Sequence, residues 1–397
     1  MNETKKRGSG LTILLTALIT FVLTLAIAAG AAAVALGQNG IAVVHGWLLA
    51  RWAFVEEDVD QQAVSDGALK GMVEALGDRW SYYVDADSYL ALKEKRANQY
   101  VGIGVTINYA DERGLNILAV TANSPAEAAG LQMGEIITSV EGVSAAGEGA
   151  QTAGDLIPGK IGEQRTLTVL GLDGTEREVV LTLDAIYVEV AKGELLDNGI
   201  GLVTLVNFNT NSAAAFRKAV DELVAQGATA LVFDVRSNGG GYVSQLVEIL
   251  DYLLPEGVIF QHDFRWGKLD LSESDANCID LPFAVLVDAD SYSAAELFAA
   301  ELREMVGAYI VGEVTSGKGY SQSTVALLNG GAMGISTAAY FTGNGVSLIG
   351  TGLTPDTLIS LTEEQYILYR SGKLEHGDDP QLQEAIRLLN IELRQGA

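Results

Sequence analysis

Phe283-Ala284-Val285-Leu286-Val287-Asp288-Ala289-Asp290-Ser291-Tyr292-Ser293-Ala294-Ala295-Glu296-Leu297 is the stretch on which the fold turns. The apolar run Phe283 to Val287 reads as a strand. From Ala294 to Met305 the Ala, Leu, Glu and Met content favours a helix. A hydroxyl at such a strand-to-helix turn meets unpaired N–H groups and the positive end of a helix. That position suits a nucleophile whose reaction builds an oxyanion. It is also where an ordinary serine N-cap sits, and the stretch alone does not separate the two.

Working outward, the same alternation recurs. Ile200 to Val206 reads as a strand and Asn211 to Gln226 as an amphipathic helix. Ala228 to Val235 is continuously apolar, the mark of a strand buried on both faces. Gly241 to Leu254 reads as a helix, and Tyr309 to Val311 as a further strand. Such crossovers predict a mixed, largely parallel α/β sheet across residues 188 to 360. Sites in these sheets lie beyond the carboxyl ends of the strands. Three loops qualify. Asp234-Val235-Arg236-Ser237-Asn238-Gly239-Gly240-Gly241 lets backbone N–H groups approach a ligand, which suits an oxyanion hole; the alternative is a plain strand-to-helix turn, which rarely needs three glycines. The second loop carries Ser293. The third, Glu313 to Gln322, places Lys318 between glycines. That lysine is either exposed and inert, or desolvated and able to act as a neutral base. GxxxxGK[ST] is absent, which argues against a phosphate-binding loop.

Toward the N-terminus the texture changes. From Gln99 to about residue 187 short apolar runs alternate with glycines. Val101 to Ile107, Leu115 to Val120, Glu135 to Val140, Arg165 to Leu170 and Glu178 to Leu183 read as strands. Ser124-Pro125-Ala126-Glu127-Ala128-Ala129-Gly130 is a capped short helix. Residues 38 to 98 read as helical, with helices over Val59–Leu76 and Ser88–Asn98. Before them, Lys5, Lys6 and Arg7 precede a charge-free run, Leu11 to Leu36, long enough to cross roughly 30 Å of bilayer. The basic flank predicts a single-pass anchor with the body outside the cytoplasm; small residues at Ala33 to Ala35 leave cleavage as the alternative.

Composition narrows the function. The 397 residues carry a net charge of −26, a field that repels phosphates and argues against nucleic-acid binding. A lone cysteine, Cys278, excludes an intramolecular disulfide and a cysteine metal cluster. His45, His262 and His376 are scattered and no HExxH occurs, so neither a metal nor a cofactor is expected.

Together these pieces resemble the carboxyl-terminal processing proteases, serine peptidases that carry a PDZ domain. Val101-Gly102-Ile103-Gly104-Val105 is similar to the PDZ carboxylate-binding loop. Ser124 to Leu131 with Gly134-Glu135-Ile136-Ile137 is similar to the PDZ helix and the strand after it. Asp234 to Gly241, Ser291-Tyr292-Ser293-Ala294-Ala295-Glu296 and Gly317-Lys318-Gly319 with Gln322 resemble the family's signature, nucleophile and base motifs. Tyr340-Phe341-Thr342, Gly352 to Asp356 and Asp379 to Gln383 are similar to the family's later strand, turn and C-terminal helix start. Asp288, Ala295, Pro158 and Gly239 depart from the family's common residues.

The resemblance implies a domain series: tail and anchor over 1–37, a helical segment over 38–98, a PDZ domain over 99–187, the peptidase core over 188–360 and a C-terminal helical segment over 361–397. It implies Ser293 as nucleophile (Ser291 being the alternative), Lys318 as base, and Gln322 orienting the lysine. Gly240 and Ala294 would hold the oxyanion, with Gly241 as an alternative to Gly240. Gly102, Ile103, Gly104 and Val105 would receive the free, apolar C-terminus of a protein substrate. The family also suggests dimerisation arms in 38–96 and 360–397, hence a homodimer. The competing expectation is a catalytically inactive PDZ scaffold.

Overall fold

The computed structural model describes residues 6–56 and 58–395, with side chains from Thr12 onward. Lys5 of the basic flank lies outside the described residues. Helix α1 spans Lys6–Trp52, and Gly37 breaks it with φ 62° and ψ −177°. Within Thr12–Trp52 the mean hydropathy reaches 2.5 over a window none of which is buried. Helix α2 (Gln61–Glu74) starts where Asp60 accepts from the N–H groups of Gln62 and Ala63. After strand β1 (Tyr82–Val84), helix α3 covers Ala86–Arg96. It begins two residues before the expected Ser88 because Asp85 is the cap, accepting from Ser88 N–H.

The next unit holds β2 (Gln99–Gly102), β3 (Val105–Asn108), β4 (Leu115–Val120), α4 (Pro125–Ala128), β5 (Ile136–Val140), β6 (Val143–Ser144), α5 (Ala150–Gly154), β7 (Gln164–Leu170), β8 (Glu176–Thr182) and β9 (Asp184–Tyr187). The single strand expected over Val101–Ile107 is divided in two. Gly104 has φ 84°, and a side chain there would collide with Ser124, so the chain turns between β2 and β3. β2 pairs with β9, while β3 forms the edge of a sheet ordered β3-β4-β5-β7-β8, with β6 on β5. Ile103, Leu115, Ile117, Ile137, Leu167 and Val169 form its core.

The remainder comprises β10 (Ala191–Leu195), β11 (Ile200–Leu205), α6 (Ser212–Ala225), β12 (Ala230–Asp234), α7 (Val243–Leu253), β13 (Gly257–Phe264), β14 (Leu269–Ser274), β15 (Phe283–Val287), α8 (Ala294–Val306), β16 (Tyr309–Gly312), β17 (Tyr320–Ala326), β18 (Ala332–Phe341), β19 (Thr357–Leu358), α9 (Glu363–Arg370) and α10 (Pro380–Gln395). A six-stranded sheet runs β10-β11-β12-β15-β16-β19. β10 is antiparallel to β11, and the other neighbours are parallel. Every residue of β12 and β15 is buried, as continuous apolar strands require. One face packs on α6, α7 and α8 through Phe216, Phe233 and Phe298. Leu382, Ala385 and Leu389 of α10 cover the other face. The residues after 379 thus supply the second helical layer. An antiparallel sheet, β1-β18-β13-β14 with β17 on β18, brings the 78–84 segment beside the chain that follows Lys318.

Candidate active site

The loops after β12, β15 and β16 meet at the carboxyl edge of the parallel sheet. The first is fixed by buried polar pairs. Arg236 donates to both carboxylate oxygens of Asp234 (2.9 and 2.7 Å) and to Gln381 Oε1 (2.8 Å), and pairs with Asp379 (2.8 Å). Its guanidinium also lies over Tyr369, 4.2 Å from the ring centroid. This cluster clamps α10 onto the loop. Asn238 Nδ2 donates to the Leu205 carbonyl (2.7 Å), and its Oδ1 accepts from Gly240 N–H (2.9 Å). Gly240, at φ 77°, runs so close to the serine loop that a methyl group there would lie 2.9 Å from Ala294 N.

The two candidate serines differ sharply. Ser291 is fully buried. Its hydroxyl lies 2.8 Å from the Val235 carbonyl and 3.0 Å from Asp288 Oδ1, and accepts from Asp288 N–H at 3.0 Å. Asp288, which also accepts from Ser237 N–H and Oγ, therefore ties two loops together through Ser291. Burial raises the Asp288 carboxyl above its ordinary range, against the pull of those donors. Ser293 instead faces a cavity of about 1000 Å³, lined also by Gly239 to Gly241, Ala294, Lys318, Gln322 and Tyr340. Its backbone sits at φ 62°, ψ −121°. Such a conformation costs a residue with a side chain about 1–3 kcal/mol and tends to cluster at functional sites.

Glu296, one turn into α8 and fully buried, joins the second loop to the third. It accepts from Ser293 N–H (2.9 Å), Thr315 Oγ1 (2.5 Å), Gly317 N–H (2.7 Å) and Lys318 N–H (3.0 Å). Burial pushes its carboxyl up and these donors pull it down. One carboxylate thereby positions the backbone of both Ser293 and Lys318. The Tyr340 phenol donates to the Lys318 carbonyl and is hydrogen-bonded to the Ser293 side chain. Burial drives that phenol well above its ordinary range.

The Lys318 amine lies 4.9 Å from the Trp80 ring centroid and 5.6 Å from that of Tyr292. Burial brings its pKa down to about 8; Arg96 adds to the drop, while Asp78 and Glu296 oppose it. Arg96 is held by Tyr82 Oη (2.9 Å) and Thr324 Oγ1 (3.2 Å). An amine of this kind is neutral in a large fraction of molecules near pH 8, which base chemistry requires.

Ser293, Lys318, Gln322, Gly240 and Ala294 thus share one cavity. Two details differ from expectation. Gln322 Nε2 donates to the Tyr320 carbonyl (2.8 Å) and to Ser336 Oγ (3.1 Å) rather than meeting Lys318. Gly240 N–H is taken by Asn238, whereas among the described residues the N–H groups of Gly241 and Ala294 have no hydrogen-bond partner. Gly102, Ile103, Gly104 and Val105 lie apart, at the entry to edge strand β3. There the Ile103 and Gly104 carbonyls are bonded to Ala126 and Thr121 N–H, both at 2.8 Å. Sequence reasoning did not reach Trp80, Arg96, Tyr340 or the bridging role of Glu296. The aromatic turn Trp80-Ser81-Tyr82-Tyr83 was the one visible hint.

Comparison with known proteins points to a peptidase with a PDZ domain. Residues 199–359 match the model of peptidase family S41, and residues 117–171 match a PDZ domain. The chloroplastic C-terminal processing peptidase of Tetradesmus obliquus is 29% identical over 332 residues, covering 79% of this chain and 72% of that protein. The carboxy-terminal processing protease CtpA of Bacillus subtilis (strain 168) is 29% identical over 315 residues, covering 79% and 67%. The solved photosystem II D1 C-terminal processing protease superposes with a TM-score of 0.50 at 26% identity, over 87% of this chain and 93% of that one. With an S41 peptidase match, a PDZ match and these relatives over most of its length, the chain is similar to the carboxyl-terminal processing proteases, the PDZ-bearing serine peptidases of family S41.

Proposed function

We propose that this protein is a membrane-anchored endopeptidase that works through a Ser293–Lys318 dyad and selects substrates by their C-terminal tails. The neutral Lys318 amine takes the Ser293 hydroxyl proton as the oxygen attacks the scissile carbonyl. The carbonyl oxygen becomes an oxyanion, held by the N–H groups of Ala294 and of the Gly240–Gly241 turn, with Gly241 the open donor at rest. The Lys318 ammonium then protonates the departing amine, and water releases the acyl group by the same steps. Gln322 reaches the lysine only after leaving Tyr320 and Ser336. The observation that carries this reading is a desolvated amine, packed on Trp80 and Tyr292, in the same cavity as a serine held in a strained conformation.

The tail carboxylate is received by the amides of residues 102 to 105, and the tail adds as a strand to the free edge of β3. The domain series 1–37, 38–98, 99–187, 188–360 and 361–397 assigns anchor, arm, receptor, chemistry and support in turn. Helix α1 holds the body on the extracytoplasmic side of a membrane, with the arm and C-terminal segments available for a homodimer. The test is cleavage of an unstructured protein with an apolar C-terminus by Ser293→Ala and Lys318→Ala. Each substitution is expected to lower kcat by at least about 10³-fold. Full activity in either variant contradicts the dyad, and a folded wild type that binds tails but never cleaves supports a scaffold instead.

A further inference from the structure

The tail-receiving edge carries an obstruction. Among the described residues β3 pairs only with β4, so its other edge is free. Its inward residues Val105 and Ile107 pack on the same core as Ala150 and Ala153 of α5. A tail added to β3 therefore lies between β3 and α5. The α5 face toward this core is small: Ala150, Ala153 and Gly154 are its buried residues.

Tyr109, the residue directly after β3, crosses that space. A methyl group on Gly154 would lie 2.6 Å from Tyr109 Oη, 2.8 Å from its Cε1 and 3.1 Å from its Cζ. The ring thus rests on the bare Cα of Gly154, which is why that glycine is buried. The backbone beneath the ring is fixed. Asn108 Oδ1 accepts from Ala110 N–H (2.8 Å), and the Glu112 carbonyl accepts from Gly147 N–H (3.1 Å), tying the loop to the start of the helical turn before α5. The phenol itself has no hydrogen-bond partner among the described residues, and the side chain is 43% exposed. Contact alone holds the ring, so a rotamer change frees it without moving the loop.

We propose that Tyr109 gates the tail groove: its ring fills the niche over Gly154, and a tail seats only once the ring has left, an apolar side chain of the tail refilling the niche. This rests on the tail-recognition reading above. Displacing the ring costs the same for every tail, so it lowers affinity in general, and an apolar side chain that refills the niche recovers part of that cost. Because the binding-competent state is the one with the ring displaced, the measured affinity is lowered by the fraction of molecules in which it is out.

The test measures binding of three fluorescent decapeptides to the full chain in detergent micelles: apolar-ended, the same peptide with a C-terminal amide, and glycine-ended. Wild type is expected to prefer the apolar free carboxylate over both others. Tyr109→Ala should bind the apolar-ended and glycine-ended peptides each about tenfold more tightly, keeping the preference between them. Tyr109→Phe, which keeps the ring, should match wild type. Gly154→Ala, which expels the ring from the opposite side, should reproduce the tighter binding of both peptides. Unchanged affinities in both Tyr109→Ala and Gly154→Ala, with the carboxylate preference intact, overturn the role of Tyr109 and leave tail recognition standing. Equal binding of carboxylate and amide in every variant overturns tail recognition itself, and this proposal with it.

Discussion

The cleft around Ser293 draws its walls from residues as distant as Trp80 and Tyr340, whereas the groove beside β3 is made from the single unit between Gly102 and Ile157. The cleft is held by buried charge and strained backbone: Glu296 accepting four hydrogen bonds, Arg236 between two aspartates, Ser293 at positive φ. The groove has an unpaired strand edge, small side chains and one ring held by contact. Chemistry demands fixed atoms, and buried polar groups hold them at the cost of desolvation. Recognition of many tails demands an edge that any backbone can join. Cleft substitutions should therefore change kcat or stability, and groove substitutions should change KM and tail dependence.

The largest effect is expected at Glu296. Glu296→Gln places an amide N–H₂ among donors, freeing the backbone of Ser293 and Lys318 together; kcat should fall by about 10²-fold or more. Single-turnover kinetics would check this, and a change confined to KM would break the comparison. Next is Arg236→Met, which leaves Asp234 and Asp379 buried without their cation. A loss of about 3–5 kcal/mol is expected in urea unfolding. In the groove, Gly104→Ala forces a side chain onto Ser124 at a φ that only glycine adopts freely. KM for a tailed substrate should rise about tenfold, with kcat for a short untailed peptide unchanged; a fall in that kcat would show the two regions to be mechanically coupled. The smallest effect is a shift in pH profile. Arg96 helps keep Lys318 near 8, so Arg96→Gln should move the midpoint of the rising limb of kcat/KM to higher pH, by a few tenths of a unit to about one. Asp78→Asn should move it the other way.

These regions also differ in how far the sequence disclosed them. The parallel strands were plain because both faces are buried: Phe283 to Val287 admits no polar residue. The α4 cap was plain because Ser124, Pro125 and Glu127 act locally. The antiparallel strands β13, β14, β17 and β18 were not, since a run such as Phe260-Gln261-His262-Asp263 is mostly polar and pairings in their sheet are long-range, as in Tyr82 with Gly334. Helix α5 was hidden by its own composition, Gly147-Glu148-Gly149-Ala150, which reads as a loop. The dyad candidates were legible as motifs. What lowers the lysine's pKa was not, because Trp80 and Arg96 reach Lys318 only through the fold.

The most direct measurement is the pH dependence of labelling by a serine-reactive fluorophosphonate, with the adduct located by peptide mass spectrometry. The neutral amine is the active form, so the labelling rate should rise about tenfold per unit below the lysine's pKa and level off above about 8. The adduct should sit on Ser293, and Lys318→Ala should abolish the labelling. An adduct on Ser291, or a labelling rate on Ser293 that is flat from about pH 6 to 9, would contradict a Ser293–Lys318 dyad.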